Sequence, residues 1–215
     1  MKKIWIIGVG RFGRMAADRL TGKTTNPHLV LVDLEEEKLH GAQGPGRTLI
    51  KGDGAAYLFE HLRPGGGQLP DWIIPALPIH LAAEWCLLHH GKKKLERIPV
   101  PAEMDPLLPH PLRVENGNIF VSHADFLCPD DCAEPRDICT FTGKPRKQNM
   151  FELLKDIQFP PWKSLVIRSH QLGPGVGGYR VQALFDLANQ IEKTRGPILL
   201  STACRCHGVM TGLQG

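Results

Sequence analysis

The chain has few aromatic residues, 7% of 215, and they do not interleave with its basic side chains. It therefore lacks the stacking platforms of a nucleic-acid-binding surface, and nucleic acid is not an expected partner. Charge of one sign is also missing. The 26 Lys and Arg against 22 Asp and Glu leave +4, scattered apart from Lys92-Lys93-Lys94. No apolar stretch approaches the roughly 20 residues of a membrane helix. The short apolar run after Met1-Lys2-Lys3 is interrupted by Arg11 and Arg14, so a secretory leader is not expected either. The expected compartment is the cytoplasm, where six cysteines are unlikely to form structural disulfides. There is no CxxC pair, and no repeat beyond a recurring strand, glycine turn and helix.

What is present is concentrated in the first 33 residues. Gly8, Gly10 and Gly13 form GxGxxG directly after the apolar run Ile4-Trp5-Ile6-Ile7, and Asp33 closes the next apolar run twenty residues on. Each part has a physical job in dinucleotide binding. Gly8 permits a tight turn, Gly10 lets backbone approach a pyrophosphate, and Gly13 lets helix and strand pack closely. Arg11 and Phe12 lie inside the turn. The following helix N-terminus offers free N–H groups to phosphates. Asp33 can accept hydrogen bonds from ribose hydroxyls and would repel a 2′-phosphate, which favours NAD(H) over NADP(H).

Strand and helix alternate through the first half: strands at 3–7, 28–33, 48–51 and 71–75, helices at 11–21, 34–40, 55–62 and 79–90. Such alternation implies a parallel sheet with helices on both faces. Arg63 to Pro70, with three consecutive glycines, reads as a short flexible loop. Five prolines between 92 and 113 exclude a continuous helix and suggest a crossover. Further on, strands are expected at 118–123, 165–170 and 197–202, helices at 149–157 and 179–194, and an irregular loop at 126–147. Regular structure is expected to end at Cys204. Two units follow, 1–113 for the dinucleotide and 114–215 as a cysteine-containing α/β region, with the second able to extend the first sheet.

The segment from Ile4 to about Gly91 resembles Rossmann domains of two families. IIGVGRFGRMAADRL, LVLVD and LIKGDGAAYLFEHL are similar to the NAD-binding domain of potassium-transport regulators of the TrkA-N type, where a Gly-Asp pair matching Gly52-Asp53 encloses the adenine. DWIIPALPIHLAAEWCLLHHGK resembles dehydrogenases of the glucose–fructose oxidoreductase type, in which a Pro-x-His element borders the nicotinamide; Pro78 and His80 match it. That family's catalytic lysine has no counterpart, because Lys92 to Arg97 replaces its Glu-Lys-Pro segment. The resemblance implies an α/β fold: a Rossmann-like doubly wound parallel sheet with a second, cysteine-containing α/β half.

Cys86 stands alone in a helical pattern, while five cysteines lie beyond residue 127. Cys128, Cys132 and Cys139 fall within twelve residues of a polar loop, and Cys204-Arg205-Cys206-His207 follows a strand. Soft ligands on short bendable segments suit Zn²⁺ or an iron–sulfur cluster. Cys128, Cys132, Cys139 and Cys206 are the expected ligands, with Cys204 and His207 as alternatives for the fourth. Unligated thiols or a redox pair are the competing readings.

A second glycine-rich run, Gly173-Pro174-Gly175-Val176-Gly177-Gly178, also follows a strand and opens an expected helix. No acid ends a following strand at the right distance, so a second dinucleotide is not expected. Gly173, Gly175, Gly177 and Gly178 are instead candidates for holding an anionic substrate, with a plain tight turn as the alternative. His80, His123, His170 and His207 all follow expected strands, and His170 and His80 are the candidate acid–base groups. The expectation is an NAD(H)-dependent oxidoreductase acting on a small anionic substrate. The alternative is a non-catalytic NAD(H)-responsive module, and the composition leaves room for a homo-oligomer.

Overall fold

The computed structural model describes residues 2–21, 27–63, 68–91, 94–134 and 136–215. Most of the lysine run at 92–94 and the glycine triplet at 65–67 lie outside them. The protein is a mixed α/β structure with two six-stranded sheets, each combining parallel and antiparallel pairs.

The first sheet is built from near-continuous apolar segments, the signature of parallel strands covered on both faces. β1 (Lys3–Ile7), β2 (His28–Asp33), β3 (Arg47–Lys51) and β4 (Trp72–Pro75) run parallel in the order β3-β2-β1-β4. The connections pass through α1 (Arg11–Leu20), α2 (Glu36–His40) and α3 (Gly54–His61). Ala16, Ala17 and Leu20 of α1 and Leu39 of α2 bury against Ile4, Ile6, Leu29 and Leu31 on one face. Ala55 and Leu58 of α3 and Trp85 and Cys86 of α4 (Leu81–His90) cover the other face with Trp5, Ile7, Val30 and Val32.

The proline-rich stretch is a chain of short pieces: β5 (Glu96–Arg97), a 3-10 helix (Ala102–Leu107) and β6 (Leu112–Arg113). Then come β7 (Asn118–Ser122), α5 (Met150–Lys155) and β8 (Lys163–Arg168). The glycine run that was expected to open a helix forms a hairpin instead. β9 (His170–Gly173) and β10 (Val176–Arg180) pair antiparallel across Pro174-Gly175, and Gly175 takes φ +64, a conformation that suits glycine. β10 also pairs antiparallel with β4, so the hairpin completes the first sheet. α6 (Val181–Lys193) therefore starts after a strand, and Gly173, Gly175, Gly177 and Gly178 do not form a helix N-terminus.

The second sheet has the order β6-β7-β12-β11-β8, with β5 pairing on β12. β11 (Pro197–Ala203) is followed by β12 (His207–Gln214), so regular structure continues past Cys204. Side chains alternate across β11: Ile198 and Leu200 join Leu184, Leu187 and Ile191 of α6 in the core shared with the first sheet. Leu199 and Ala203 face Met150 and Leu154 of α5 on the far side. Helix α6 thus lies against strands of both sheets, with α4 beside it and α3 beside α4. No helix among the described residues is long and apolar enough to cross a membrane.

Candidate functional site

The carboxyl edge of the first sheet carries the glycine turn. Gly8 N–H donates to Val32 O at 2.8 Å, and Val9 N–H donates to the Asp33 carboxylate at 2.6 Å. The other Asp33 oxygen accepts from Glu35 N–H at 2.9 Å. The buried acid therefore fixes the turn against the end of β2, and each of its oxygens keeps a lone pair for another donor. The three glycines differ in what surrounds them. Gly8 has φ +95, and a Cβ there would meet Ala76 O at 2.6 Å. A Cβ on Gly13 would overlap the Gly8 carbonyl, whereas a Cβ on Gly10 would meet nothing within 4 Å. Gly10 is the N-cap of α1; no side chain caps that helix, and its first turn holds no acid. Asp53, in contrast, caps α3 by accepting Ala56 N–H at 2.8 Å. Gly52 beside it also faces open space. Pro78 is exposed in the bend after β4.

Next to this turn lies a cavity of about 970 Å³. Phe12 of α1 lines it, as do Cys128, Cys132, Cys139, Cys204, Cys206 and His207. Its walls come from the 126–147 loop, the hairpin tip and the carboxyl edge of the second sheet. The loop is tied to its neighbours by named contacts. Arg11 pairs with the Asp130 carboxylate, and Arg19 donates to the carbonyls of Asp130 and Pro174. Gln171 Nε2 and Gly175 N–H donate to Cys132 O at 2.7 and 3.1 Å. Phe126 stacks on Phe141 at 4.6 Å between centroids, while Leu127 is 95% exposed.

Within the cavity, His207 stands between two thiols: Nε2 is 3.5 Å from Cys128 Sγ and Nδ1 is 4.0 Å from Cys204 Sγ. Arg146 Nη2 donates to Cys206 Sγ at 2.9 Å. Burial, reinforced by the Glu134 carboxylate, pushes the Cys204 thiol up to about 12. Cys139 is held below the usual thiol range by hydrogen bonds from Thr142 and Phe141. Burial raises Cys128, and the nearby Cys132 and Cys139 add to the effect. The site thus gathers all five expected thiols on one surface. Even so, among the described residues no three His, Cys, Asp or Glu side chains cluster closely enough to hold a metal ion.

The candidate histidines separate. His80 is 1% exposed, wedged between α4 and the second sheet. Thr211 Oγ1 donates to Asn118 Oδ1 at 2.7 Å, so it accepts from His80 Nδ1–H at 2.8 Å. Nε2 then accepts from the Thr202 hydroxyl at 2.9 Å. Desolvation, with Arg97 nearby, lowers its pKa to about 3. Both ring nitrogens are occupied, so the acid–base role expected of His80 is corrected to a structural one. His170 opens onto a separate polar pocket of about 240 Å³ with Arg168, Arg205 and Glu134, and its ring meets Trp72 edge-on.

His123 and His207 line the cysteine cavity instead. His123 Nε2 is buried there with no hydrogen-bond partner among the described residues, and burial lowers its pKa. Sequence reasoning placed His123 among the four histidines that follow strands but chose His170 and His80 over it, and it did not name Arg146. The available signal was their position: His123 directly follows β7, and Arg146 sits at the far end of the cysteine loop.

Comparison with known proteins adds a family and no solved structure matches. A family model described as "Uncharacterized protein, C-terminal domain" matches residues 80–215. A protein of Archaeoglobus fulgidus, described as "Uncharacterized protein", is 31% identical over 225 aligned positions, covering 97% of this chain and 98% of the relative. No solved structure matches the chain. The chain belongs to the family defined by that C-terminal domain model.

Proposed function

We propose that the chain binds NAD(H) at the Gly8–Gly13 turn and acts as an oxidoreductase on a small anionic substrate held in the cysteine-lined cavity. The observation that carries this reading is the uncapped N-terminus of α1, opening at Gly10 onto free space. Pyrophosphate is the ligand whose negative charge and size suit unpartnered N–H groups at such a terminus. The strand order β3-β2-β1-β4, with helices on both faces, is in this reading a Rossmann-like doubly wound half, and the turn lies at the carboxyl edge where the strand order reverses. Asp33 would accept from ribose hydroxyls with its remaining lone pairs.

Phe12 joins the turn to the cavity, so a nucleotide held at α1 would have one end beside the thiols. When bound, NAD(H) supplies hydride chemistry. The chain's own residues orient the substrate and move the proton. Arg146, with Lys144 and Lys147 on the same wall, favours an anionic substrate, and His123 Nε2 is the group placed to give or take a proton. A second reading rests on the Arg11–Asp130 ion pair, which ties the turn to an exposed apolar loop. In that reading nucleotide occupancy alters a surface read by a partner, without turnover.

NADH binding, followed by fluorescence on the full chain, tests the assignment. Gly10→Val should fold, because its Cβ meets no atom, yet lose binding by more than about tenfold as its side chain occupies the pyrophosphate's place. Unchanged affinity in a folded Gly10→Val protein would refute the nucleotide site. NADH oxidation with carbonyl or imine acids separates the enzyme from the regulator.

A further inference from the structure

β8 and β11, the parallel pair of the second sheet, end side by side, with Arg168 in register with Ala203. Ligands of α/β sheets gather beyond such carboxyl ends. Here the chain leaves one strand through Ser169 and the other through Arg205. Together with His170, Gln171, Arg168 and Glu134 they enclose a pocket of about 240 Å³, and every one of these six side chains is polar. Glu134, Ser169 and Gln171 also line the cysteine cavity, so the two spaces lie back to back.

The two guanidiniums on this wall are held in place without being neutralised. Arg168 lies over the Phe151 ring, 4.3 Å from its centroid. An arginine stacked by its face keeps its in-plane N–H groups for another partner. Arg205 Nη1 reaches the neutral Asn149 Oδ1 at 3.4 Å. Glu134, the acid on the wall, accepts the backbone N–H of Arg205 at 2.5 Å and, among the described residues, pairs with neither guanidinium. A third cation stands close by: Arg180 lies over Trp72 at 4.5 Å, the ring that His170 meets edge-on. The imbalance registers at His170, whose pKa is lowered first by burial and then by Arg168 and Arg180, with Glu134 opposing them.

We propose that this pocket binds a phosphoryl group, clamped between Arg168 and Arg205, with Ser169, His170 and Gln171 as further donors. Guanidinium forks match oxyanions in bidentate fashion, and a partly enclosed pocket strengthens such charge-assisted bonds. The donors arrive from separate segments, the end of β8, the start of β9 and the turn between β11 and β12. Converging directions suit a tetrahedral anion with several oxygens better than a planar carboxylate. Gln171 is already oriented, since its Nε2 donates to Cys132 O at 2.7 Å and leaves its second N–H for the ligand. The volume admits an anionic head and little more. This site belongs to the second sheet and does not depend on the nucleotide assignment at α1.

The test uses the full chain in chloride buffer. Inorganic phosphate, added at constant ionic strength, should bind saturably by isothermal titration calorimetry and broaden its phosphorus-31 resonance. Arg168→Gln and Arg205→Gln should each weaken binding by about tenfold or more, with NADH affinity unchanged. The resonance is read on the unaltered chain, so poor folding of a variant does not blunt it. Gly10→Val should keep phosphate binding while losing NADH. Affinity equal to that of glycerol 3-phosphate supports a site for the free anion, and tighter glycerol 3-phosphate supports the head of a phosphomonoester. Absence of saturable phosphate binding overturns the proposal, as does full affinity in both arginine variants. Malonate binding as tightly as phosphate overturns the choice of a phosphoryl group. Phosphate lost only in Gly10→Val overturns this pocket and leaves the nucleotide site standing.

Discussion

Replacing His80 with glutamine should flatten the dependence of stability on pH. In the folded chain His80 is neutral, donating from Nδ1 to Thr211 and accepting at Nε2 from Thr202, with its pKa lowered to about 3 from 6.5. The unfolded chain therefore binds the proton more readily. The stabilisation is complete above about 6.5 and is lost as pH falls toward about 3. At 1.36 kcal/mol per pKa unit, His80 alone removes about 2 kcal/mol between about pH 7 and about pH 5. Glutamine offers one donor and one acceptor at similar reach without titrating. Urea unfolding of both proteins at the two pH values gives the difference in slope. His90, His123, His170 and His207, also lowered mainly by burial, are common to both proteins and cancel. Equal slopes would mean that His80 is solvated or charged in the folded chain, and the buried Thr–His–Thr bridge would be refuted.

Gly13→Ala should fail to fold stably, because its methyl overlaps the Gly8 carbonyl; a melting temperature equal to that of the unaltered chain would contradict the close strand–helix packing. Asp33→Ala leaves Val9 and Glu35 N–H without their acceptor. It should cost about 2–4 kcal/mol in urea unfolding, weaken NADH binding and relax discrimination against NADPH. Gly175→Ala places a methyl against the Asp130 carbonyl at φ +64. It should detach the cysteine loop and speed reaction of its thiols with a disulfide reagent, while far-ultraviolet circular dichroism stays unchanged.

The first ninety residues were legible because their strands are buried on both faces, so each reads as an apolar run followed by a helix or a turn. The glycine run at 173–178 misled. Its spacing mimics a phosphate turn, but Pro174 and Gly175 suit the tight turn of a hairpin, and only pairing with β4 reveals which it is. β12 was missed because His207–Gln214 contains glycines and little polar alternation. The cysteines were legible as a group, since five thiols cluster among prolines and charges. Which histidines share their cavity depends on the meeting of two sheets, and no local pattern encodes that.

The hairpin that completes the first sheet is drawn from chain lying between strands of the second, since β8 precedes it and β11 follows it. During synthesis β4 must therefore wait about a hundred residues for its neighbour, with its edge unpaired and its carbonyl and N–H groups available to any other strand. The first sheet cannot mature as an independent translational unit. The pairing that closes the first sheet spans a large loop, which slows folding and extends the period of aggregation risk. A chain truncated before residue 170 should accumulate as self-associating material, and a bicistronic split at the proline-rich crossover should yield soluble protein only when both pieces are made together.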